Sequence, residues 1–312
     1  MNILLQFLLL VLGFVMLVKG ADWFVDGAAG IAEKFGIPQL VIGLTIVAMG
    51  TSAPEAAVSI TAALKNNADI TIGNVVGSNI LNILVILGVT SVIVAIAVAD
   101  STVKYEIPYM LFISVLLLVF GYTGNEISFL EGILLWIAFI VYLVYLFIMA
   151  KNNKEETPED EKKKPVWLLI VLVIIGVVLI VKGSDVAVAA ATKIAQAAHL
   201  SERFIGLTIV ALGTSLPELV TSVTAARKGK ADIAIGNIVG SNMFNILFVV
   251  GTTALITPVP FATGFVVDTL ISIAAGILLW ICVFKKHKLD RAGGVLMLLG
   301  YIGYFAYLVM LK

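Results

Sequence analysis

The fold is constrained most strongly by an internal repeat. Residues 42–55 have the sequence IGLTIVAMGTSAPE, residues 205–218 have the sequence IGLTIVALGTSLPE, and twelve of the fourteen positions are identical. The same offset of 163 residues relates Lys19 to Lys182. The chain therefore consists of two copies of one repeated unit. Each copy places a carboxylate within an apolar segment, directly after a proline, and this arrangement indicates a buried polar site.

The composition excludes a soluble globular protein. The chain of 312 residues is 61% hydrophobic and 13% charged, and its mean hydropathy is +1.10, whereas soluble domains average roughly 45–50% apolar and about 25% charged residues. The formal net charge is zero, which gives no indication of a nucleic-acid partner. The single cysteine, Cys282, permits no internal disulfide, and we interpret it as a packing residue. His199 and His287 fall in predicted loops, and we interpret both as solvated.

Ten long apolar segments predict an all-α polytopic membrane protein. Crossing a hydrocarbon layer of about 30 Å takes roughly 20 apolar residues in a helix, and only helices and closed barrels satisfy their backbone hydrogen bonds there. The segments are too long and too uniform for barrel strands. The first, at residues 3–18, lacks the cleavage site of a signal peptide, and we expect it to be retained as a helix. The predicted helices lie near residues 2–31, 38–64, 69–98, 105–121, 127–150, 166–195, 203–226, 232–257, 265–284 and 292–311.

These helices divide into two repeats of five. The first repeat is residues 1–150, the second is residues 166–312, and the polar segment 151–165, KNNKEETPEDEKKKP, links them. Because each repeat has an odd number of spans, the second lies upside down relative to the first, as in many secondary transporters.

The distribution of positive charge predicts the orientation. If the N-terminus is outside, fourteen Lys and Arg residues fall on the cytoplasmic side and four on the outer side, with Lys19 and Lys182 inside helices. Lys and Arg favour the cytoplasmic side. We therefore expect a plasma-membrane protein with both termini outside and a cytoplasmic linker at residues 151–165.

Glu55 and Glu218 need compensation, because an ionised carboxylate near the bilayer centre costs about 2.5–3.5 kcal/mol even on the insertion scale. The proline directly before each glutamate has no backbone N–H and clashes with the carbonyl four residues earlier. We therefore expect breaks in the second and seventh helices, near Gly50 and Gly213.

Each break should free backbone carbonyls, those of residues 48–51 and 211–214, and place hydroxyls beside the carboxylate. Non-helical backbone at membrane depth is tolerated where it lines an internal cavity. An oxygen cage without thiolate or imidazole favours a hard cation such as Na⁺ or Ca²⁺ over zinc, copper or iron. The alternative is a proline kink with a protonated glutamic acid, and the inverted duplication favours the cage. The hydroxyls belong to Thr51, Ser52, Thr214 and Ser215.

A second repeated motif, GNxxGSNxxNI, predicts a polar stripe on the third and the eighth helices. An asparagine, a serine and a second asparagine follow one another at intervals of four residues, so that they share one helix face. We interpret the serine and the second asparagine of each stripe as cation ligands, because the stripe would face the broken helices. The first asparagine fits either this role or interhelical hydrogen bonding, and Asn79 and Asn242 fit the latter. The stripes are Asn74, Ser78 and Asn82, and Asn237, Ser241 and Asn245.

Two pairs of opposite charges lie within long apolar helices. Lys19 precedes Asp22 by three residues, and Lys182 precedes Asp185 by the same interval. Opposite charges at this spacing neutralise each other on a helix. We therefore expect two structural ion pairs rather than a role in transport.

These motifs resemble those of the sodium/calcium exchanger family, within the calcium/cation antiporter superfamily, in its short prokaryotic form. The likeness consists of GTSxPE segments at 50–55 and 213–218 and GNxxGSNxxNI segments at 73–83 and 236–246, and it covers both halves of the chain. The resemblance implies two inverted five-helix repeats. In these, the second, third, seventh and eighth helices would enclose several cation sites, and the first and sixth would slide to switch access.

The resemblance also implies roles for individual residues. Glu55 and Glu218 would be shared between Ca²⁺ and Na⁺, and Thr51 and Thr214 would add backbone oxygen. The Na⁺ sites would be completed by the carbonyls of Ala48 and Ala211 and by the hydroxyls of Ser52, Ser215, Ser78 and Ser241.

One residue departs from the pattern of some relatives, which carry an aspartate where this chain has Asn245. Asn245 matches Asn82 of the first copy. The cage then holds two carboxylates, whose charge one Ca²⁺ or two Na⁺ would neutralise. A coupling of three Na⁺ to one Ca²⁺ is therefore implied by the resemblance alone, and K⁺-coupled exchange stays open.

We expect an electrogenic secondary antiporter that moves Ca²⁺ outward as Na⁺ enters, by alternating access to a shared carboxylate site. It should work as a monomer in a lipid bilayer and need no cofactor. The nearest alternative is Ca²⁺/H⁺ exchange, because buried carboxylates also bind protons, and a further one is a cation channel. An enzyme is not expected, because the predicted spans contain no paired nucleophile and base.

Overall fold

The computed structural model describes residues 3–65, 67–153, 164–197 and 211–310, and these residues are almost entirely helical. The helices are α1 Ile3–Phe35, α2 Gln39–Thr51, α3 Ala53–Leu64, α4 Ile70–Ile93, α5 Thr102–Gly124, α6 Phe129–Asn152, α7 Val166–Ala197, α8 Ala211–Thr214, α9 Leu216–Arg227, α10 Ala231–Ile256, α11 Gly264–Phe284 and α12 Arg291–Met310. Four short strands are β1 Ile96–Ala97, β2 Glu126–Ile127, β3 Val259–Pro260 and β4 Lys288–Leu289.

The described residues contain up to nine helices or helix pairs that are long and apolar enough to span a membrane. Eight helices are each long and apolar enough to cross a bilayer, and α2 with α3 form a further span that is bent by 50°. The helices α8 and α9 lie at the position of the predicted seventh helix, whose first eight residues fall outside the described residues, as does most of the predicted linker. The bounds predicted for the other nine helices agree with the structure to within five residues at each end.

The first helices of the two repeats, α1 and α7, pack against each other in opposite directions. A Cβ added at Gly13 would lie 2.7 Å from the backbone nitrogen of Ala187, and one added at Gly20 would lie 2.9 Å from the carbonyl oxygen of Gly176. The partner numbers fall as the α1 numbers rise, so the helices are antiparallel. Glycines allow this close backbone approach. The predicted inversion is therefore observed directly for this pair of helices.

The four strands form two equivalent pairs, and each pair joins a strand of the first repeat to a strand of the second. β1 pairs with β4 and β2 pairs with β3, both antiparallel. The adjoining backbone bonds are equivalent too, because Val98 N donates to His287 O at 2.9 Å and Phe261 N donates to Asn125 O at 2.8 Å. Asn125 and His287 both adopt left-handed φ angles, of 56° and 47°. Reciprocal contacts of this kind are those of a local two-fold axis.

Polar residues concentrate on the two central helices, α4 and α10. Nearly all of α10 and most of α4 are buried, whereas α1, α6, α7 and α12 expose apolar side chains over most of their surface. Helices that contact lipid need only apolar surfaces, and polar side chains are placed where protein surrounds them. The Asn and Ser stripes therefore lie at the centre of the protein.

Candidate cation site

The chain breaks twice next to a buried glutamate, between α2 and α3 at Ser52 and between α8 and α9 at Ser215. These breaks lie two residues after the positions predicted at Gly50 and Gly213. The difference arises because proline is well accommodated in the first turn of a helix. Pro54 therefore lies inside the new helix α3, and the irregular residue is the serine before it.

Both glutamates are buried in the first turns of the helices that follow the breaks. Glu55 and Glu218 are each 1% exposed, and their carboxylates interact electrostatically with each other. Glu218 Oε1 accepts a hydrogen bond from Ser52 Oγ at 2.9 Å, and Glu55 Oε1 accepts one from Ser78 Oγ at 3.4 Å. The hydroxyl of Thr214 also interacts with the Glu55 carboxylate, and that of Thr51 with the Glu218 carboxylate. The structure thus brings together the glutamates with four of the predicted hydroxyl residues.

The first asparagine of each stripe holds the backbone of the glutamate in its own repeat. Asn74 Nδ2 donates to the carbonyl of Glu55 at 3.2 Å and to Ser59 Oγ at 3.0 Å. In the second repeat, Asn237 Nδ2 donates to the carbonyl of Glu218 at 3.4 Å and to the Ser222 hydroxyl at 2.9 Å. Sequence analysis missed the two serines. They follow the glutamates by four residues and share the offset of 163 residues, so the repeat contained the signal that would identify them.

Four amides form a reciprocal network between α4 and α10. Asn79 Nδ2 donates to the carbonyl of Asn242, and Asn242 Nδ2 donates to the carbonyl of Asn79, both at 3.3 Å. The interhelical role predicted for these two residues is confirmed. Asn242 Oδ1 accepts from Asn82 Nδ2 at 2.9 Å, and Asn79 Oδ1 accepts from Asn245 Nδ2 at 3.1 Å. The network therefore fixes both candidate ligands by their nitrogens and leaves their oxygens available.

Both central helices widen at these candidate ligands. A π-helical segment begins at Asn82 and runs to Leu87 in α4, and another begins at Asn245 and runs to Val250 in α10. A third, Gly43–Val47, lies within α2. Isolated π-helical turns are frequent at functional sites, because they re-aim side chains and loosen the regular hydrogen-bond ladder.

The carbonyl of Ala48 has more partners than predicted. It accepts the backbone N–H of Ser52 at 3.0 Å, and the hydroxyls of Thr51 and Ser241 lie 3.3 and 3.4 Å from it. The prediction that this carbonyl lacks a helical partner is wrong, because α2 continues through Thr51 instead of ending near Gly50. Thr51 Oγ1 also donates to Asn237 Oδ1 at 2.9 Å.

At the second break, the carbonyl of Gly213 receives a hydrogen bond from another helix. Pro217, four residues later, has no N–H to offer it, and Ser184 Oγ of α7 donates to it at 2.6 Å. The first copy has Ala21 at the position of Ser184. The role predicted for the carbonyl of Ala211 stays a prediction, because α8 begins at this residue and the residues before it lie outside the described part.

Five buried side-chain oxygens in this region have no hydrogen-bond partner among the described residues. A buried polar group without a partner costs about 1–3 kcal/mol, so the cluster is unfavourable unless a further group satisfies it. The described residues contain no group of three or more His, Cys, Asp or Glu side chains placed to hold one metal ion. The available donors are therefore carboxylate, amide and hydroxyl oxygens, which suit Na⁺ and Ca²⁺. These atoms are Oε2 of Glu55, Oε2 of Glu218, Oδ1 of Asn82, Oδ1 of Asn245 and Oγ of Ser215.

One of the two predicted ion pairs forms, and the other is replaced. Lys182 Nζ lies 3.6 Å from Asp185 Oδ2, as predicted. The prediction of a Lys19–Asp22 pair is wrong. Lys228, in the loop between α9 and α10, lies 3.2 Å from Asp22 and 2.8 Å from Asp26 instead. A lysine next to two carboxylates is attracted more strongly than one next to a single carboxylate.

A second ion pair joins the same elements. Lys230 Nζ lies 2.7 Å from Glu33 Oε1, so α1 is tied twice to the loop between α9 and α10. The positions equivalent to Asp26 and Glu33 in the second copy hold Ala189 and Gln196. We refer to the pairs that Lys228 and Lys230 make with α1 as the α1 ion pairs.

Comparison with known proteins places the chain among cation exchangers. The family model for sodium/calcium exchanger proteins matches residues 5–148 and 168–310. The chain is 38% identical to the sodium/calcium exchanger MaX1 of Methanosarcina acetivorans over 349 residues, covering 99% of both proteins. It is 35% identical to the inner membrane protein YrbG of Escherichia coli over 323 residues, covering 99% of this chain and 98% of that protein.

The three-dimensional likeness extends over the same length. A solved structure of the sodium-calcium exchanger NCX_Mj, soaked with zero Na⁺ and Ca²⁺, matches with a TM-score of 0.85 and 33% sequence identity, covering 98% of this chain and 99% of that chain. The match to the family model includes both repeats and both broken helices. The named exchangers are transporters rather than enzymes. The chain therefore belongs to the sodium/calcium exchanger family of membrane transport proteins.

Proposed function

We propose that this chain exchanges Na⁺ moving into the cell for Ca²⁺ moving out, through one shared site built on Glu55 and Glu218. The cluster of five unpartnered buried oxygens carries the proposal. Two of these oxygens belong to carboxylates on opposite repeats, and two belong to amides held in place by their nitrogens. A dehydrated cation is the group that satisfies such a set.

Exchange follows from competition for the same two carboxylates. Ca²⁺ and Na⁺ both need Glu55 and Glu218, so the ions occupy the site in turn. Empty, the site would hold two buried, uncompensated charges, and moving them through a closed state is costly. The protein therefore changes conformation only when ions are bound, and this condition couples the two fluxes.

We expect α1 and α7 to be the elements that move. They cross each other at glycines and expose mostly apolar surfaces, so that most of the surface that would slide along the central helices is apolar. The proposed orientation has both termini outside the plasma membrane, and the proposed active form is a monomer.

The neutral oxygens determine whether the cycle carries net charge. One Ca²⁺ or two Na⁺ neutralise the two carboxylates, and a third Na⁺ would have to be held by neutral groups. The hydroxyl of Ser241 beside the carbonyl of Ala48 supplies two such oxygens. We propose that this third position makes the exchange electrogenic. A Ca²⁺ flux that responds to an imposed membrane potential supports this proposal, and a flux that ignores the potential contradicts it.

The test is Na⁺-dependent ⁴⁵Ca²⁺ uptake into proteoliposomes. Glu55→Gln and Glu218→Gln each remove one of the two carboxylates without changing side-chain volume. Each should lower the uptake at least about a hundredfold, because leaving a buried charge without its partner costs about 3–5 kcal/mol. Glu126→Gln, at an exposed carboxylate in β2, is the matched control and should keep wild-type uptake. Full exchange in either site variant would refute the shared site.

The same vesicles identify the coupling ion. Na⁺, K⁺ and H⁺ gradients are imposed one at a time on the wild-type protein. Ca²⁺ movement driven by the Na⁺ gradient alone supports the proposal. Movement driven by the pH gradient without Na⁺ assigns Ca²⁺/H⁺ exchange instead, and a requirement for K⁺ together with Na⁺ assigns the K⁺-coupled mode. A flux that needs no counter-ion and does not saturate assigns a channel.

A further inference from the structure

A cavity lies at the side of the protein, between the start of α5 and the second half of α6. Its volume is about 410 Å³, and its walls include four tyrosines and one glutamate. Lys104 and Tyr105 lie at its border together with Val141. Tyr105 is 60% exposed and Val141 is 58% exposed, so the cavity opens on the surface that these two helices present to lipid.

Glu106 places a buried negative group in this cavity. Its side chain is 1% exposed. The hydroxyl of Tyr145 donates to Oε1, whereas Oε2 has no hydrogen-bond partner among the residues that the structure describes. Glu106 does not belong to the site of Glu55 and Glu218, so the proposed exchange leaves it unexplained. Glu106 is one of the residues that line the cavity, and a buried carboxylate oxygen is satisfied most directly by a cationic hydrogen-bond donor.

The walls of the cavity favour an organic cation over a metal ion. The rings of Tyr105 and Tyr145 lie 6.5 Å apart, and those of Tyr109 and Tyr142 lie 6.0 Å apart. Aromatic faces attract ammonium groups. Na⁺ or Ca²⁺ would need several oxygen ligands, and the carboxylate supplies only one unpartnered oxygen here. The ligand should therefore carry its positive charge on a nitrogen with apolar surroundings.

The border of the cavity also carries a positive group. Lys104 lines the cavity two residues before Glu106 in α5 and pairs with the exposed Asp100. An ammonium inside the cavity and a phosphate beside Lys104 would match the two charges of a zwitterionic headgroup. The apolar surface around the opening would contact the acyl chains.

We infer that this cavity binds the headgroup of phosphatidylethanolamine, with its ammonium donating to Glu106 and its phosphate beside Lys104. The nitrogen must carry N–H groups, because Glu106 Oε2 can only accept a hydrogen bond. A trimethylated nitrogen has the same charge and fits aromatic rings, yet it cannot donate. Phosphatidylcholine therefore binds more weakly at this site, and phosphatidylglycerol, which lacks the ammonium, does not replace it.

A bound headgroup would share a wall with the cation site. The Tyr142 hydroxyl donates to the carbonyl of Leu44 at 3.1 Å, and Leu44 lies in the π-helical segment of α2. The backbone of Leu44 also packs against Gly240, next to Ser241, since a Cβ at Gly240 would lie 2.8 Å from Leu44 Cα. The lipid would thus contact the side chain that supports the broken helix.

The test measures lipid binding to the purified wild-type protein by native mass spectrometry. The probes are phosphatidylethanolamine, its N-methyl and N,N-dimethyl derivatives and phosphatidylcholine, all with the same acyl chains. The N-methyl and N,N-dimethyl derivatives keep an N–H group and should bind about as well as phosphatidylethanolamine, whereas phosphatidylcholine should bind about tenfold less, since a hydrogen bond to a charged group of this strength changes affinity by that factor. Equal binding across the series would overturn the assignment.

A matched pair of variants locates the site. Glu106→Gln should bind phosphatidylethanolamine no better than phosphatidylcholine. Asp268→Asn is the control, because Asp268 also accepts from a tyrosine hydroxyl, that of Tyr304 at 3.0 Å, in the second repeat, and it should keep the wild-type preference. A preference that survives in Glu106→Gln contradicts the site. Displacement of the lipid by soluble glycerophosphoethanolamine would contradict the role of the acyl chains. These readouts require no ion flux and stand apart from the proposed exchange.

Discussion

A single hydroxyl distinguishes the two breaks in the chain. At Gly213, the carbonyl that Pro217 cannot satisfy is bonded by Ser184 of α7, and the first copy has Ala21 at the position of Ser184. The hydroxyl joins a helix of the lipid-facing pair to the irregular backbone beside the cation site. The two breaks are thus alike in sequence and unlike in how they are supported.

Ser184→Ala should destabilise the second break. The carbonyl of Gly213 would lose its donor inside the protein, at a cost of about 1–3 kcal/mol. Thermal unfolding in detergent measures the loss. Ser114→Ala is the control, because Ser114 is equally buried and donates only to the carbonyl of Met110 in its own helix. Equal losses of stability in the two variants would show that the link between α7 and the break contributes nothing.

Asn245→Asp should make the ion-free protein less stable and its stabilisation by Ca²⁺ larger. The amide nitrogen of Asn245 now faces Asn79 Oδ1 at 3.1 Å. An aspartate would place a second acceptor opposite Asn79 Oδ1 and would add a third negative charge to the buried site. A bound cation would relieve both effects. The measurement is the shift in melting temperature between chelator and saturating Ca²⁺. Asn67→Asp, in an exposed loop, should leave that shift unchanged, and an unchanged shift in Asn245→Asp would exclude the residue from the site.

For individual residues, the repeat predicts well which side chains belong to the site. It predicts less well which of their atoms lack a hydrogen-bond partner. Glu55 and Glu218, with the amides of both stripes, could be identified because charged and polar groups inside apolar segments must be compensated. The carbonyl of Ala48 could not, because its bonding depends on where α2 ends. That endpoint follows from the tolerance of Pro54 in a first helical turn. The ligand roles of the twelve candidate residues stay predictions.

Among the elements, the crossing of α1 and α7 depends on glycine. Five of their six glycines face backbone atoms of the other helix, and a Cβ at Gly176 would lie 2.7 Å from the nitrogen of Phe24. Such contacts leave no room for a side chain. They would keep α1 and α7 together as the pair slides along the central helices.

Gly176→Ala should push α1 and α7 apart. Overpacking of this kind typically costs about 1–3 kcal/mol, which exceeds the gain of about 1 kcal/mol that alanine gives within a helix. The melting temperature should fall, and the exchange rate with it. Gly303→Ala is the matched control, because nothing lies within 4 Å of a Cβ added there, and it should leave stability equal or slightly higher. A stable, fully active Gly176→Ala would show that the close crossing is not required.

The long helices could be predicted because apolar length alone selects them. The π-helical segments and the two-residue strands could not. The π-helical segments, such as Asn82–Leu87, use the same residues as an ordinary helix and differ only in their hydrogen bonding. The strands pair residues from different repeats, Ile96 with Leu289 for example, and so depend on how the repeats meet. The start of the seventh predicted helix lies outside the described residues.

For the whole molecule, the charge count and the odd number of spans predict one orientation. Thr123 lies in the last turn of α5, on the proposed outer side, and Lys151 lies in the last turn of α6, on the proposed cytoplasmic side. Both side chains are exposed. The antiparallel pair α1 and α7 supports the inversion of the repeats, and the side of the membrane on which each loop lies stays a prediction.

Cysteine labelling checks this orientation. In a Cys282→Ser background, Thr123→Cys should react with a membrane-impermeant maleimide added outside intact cells, and Lys151→Cys should react only in inverted membranes. The expected pattern follows from the preference of Lys and Arg for the cytoplasmic side. The opposite pattern would reverse the proposed topology, and labelling of both positions from one side would contradict α6 as a single span.

The α1 ion pairs make the two halves energetically unequal. Two identical inverted repeats would give inward-open and outward-open states of the same free energy, because a two-fold rotation would interconvert the two states. Lys228 and Lys230 hold α1 through three carboxylates, whereas the second copy keeps only one of them, Asp185 at the position of Asp22, and has Ala189 and Gln196 at the other two positions. A bias of about 1 kcal/mol from these partly exposed pairs would shift the populations roughly fivefold. The same ion would then bind with a different apparent affinity at each face, so that a nearly symmetric carrier behaves as a rectifier.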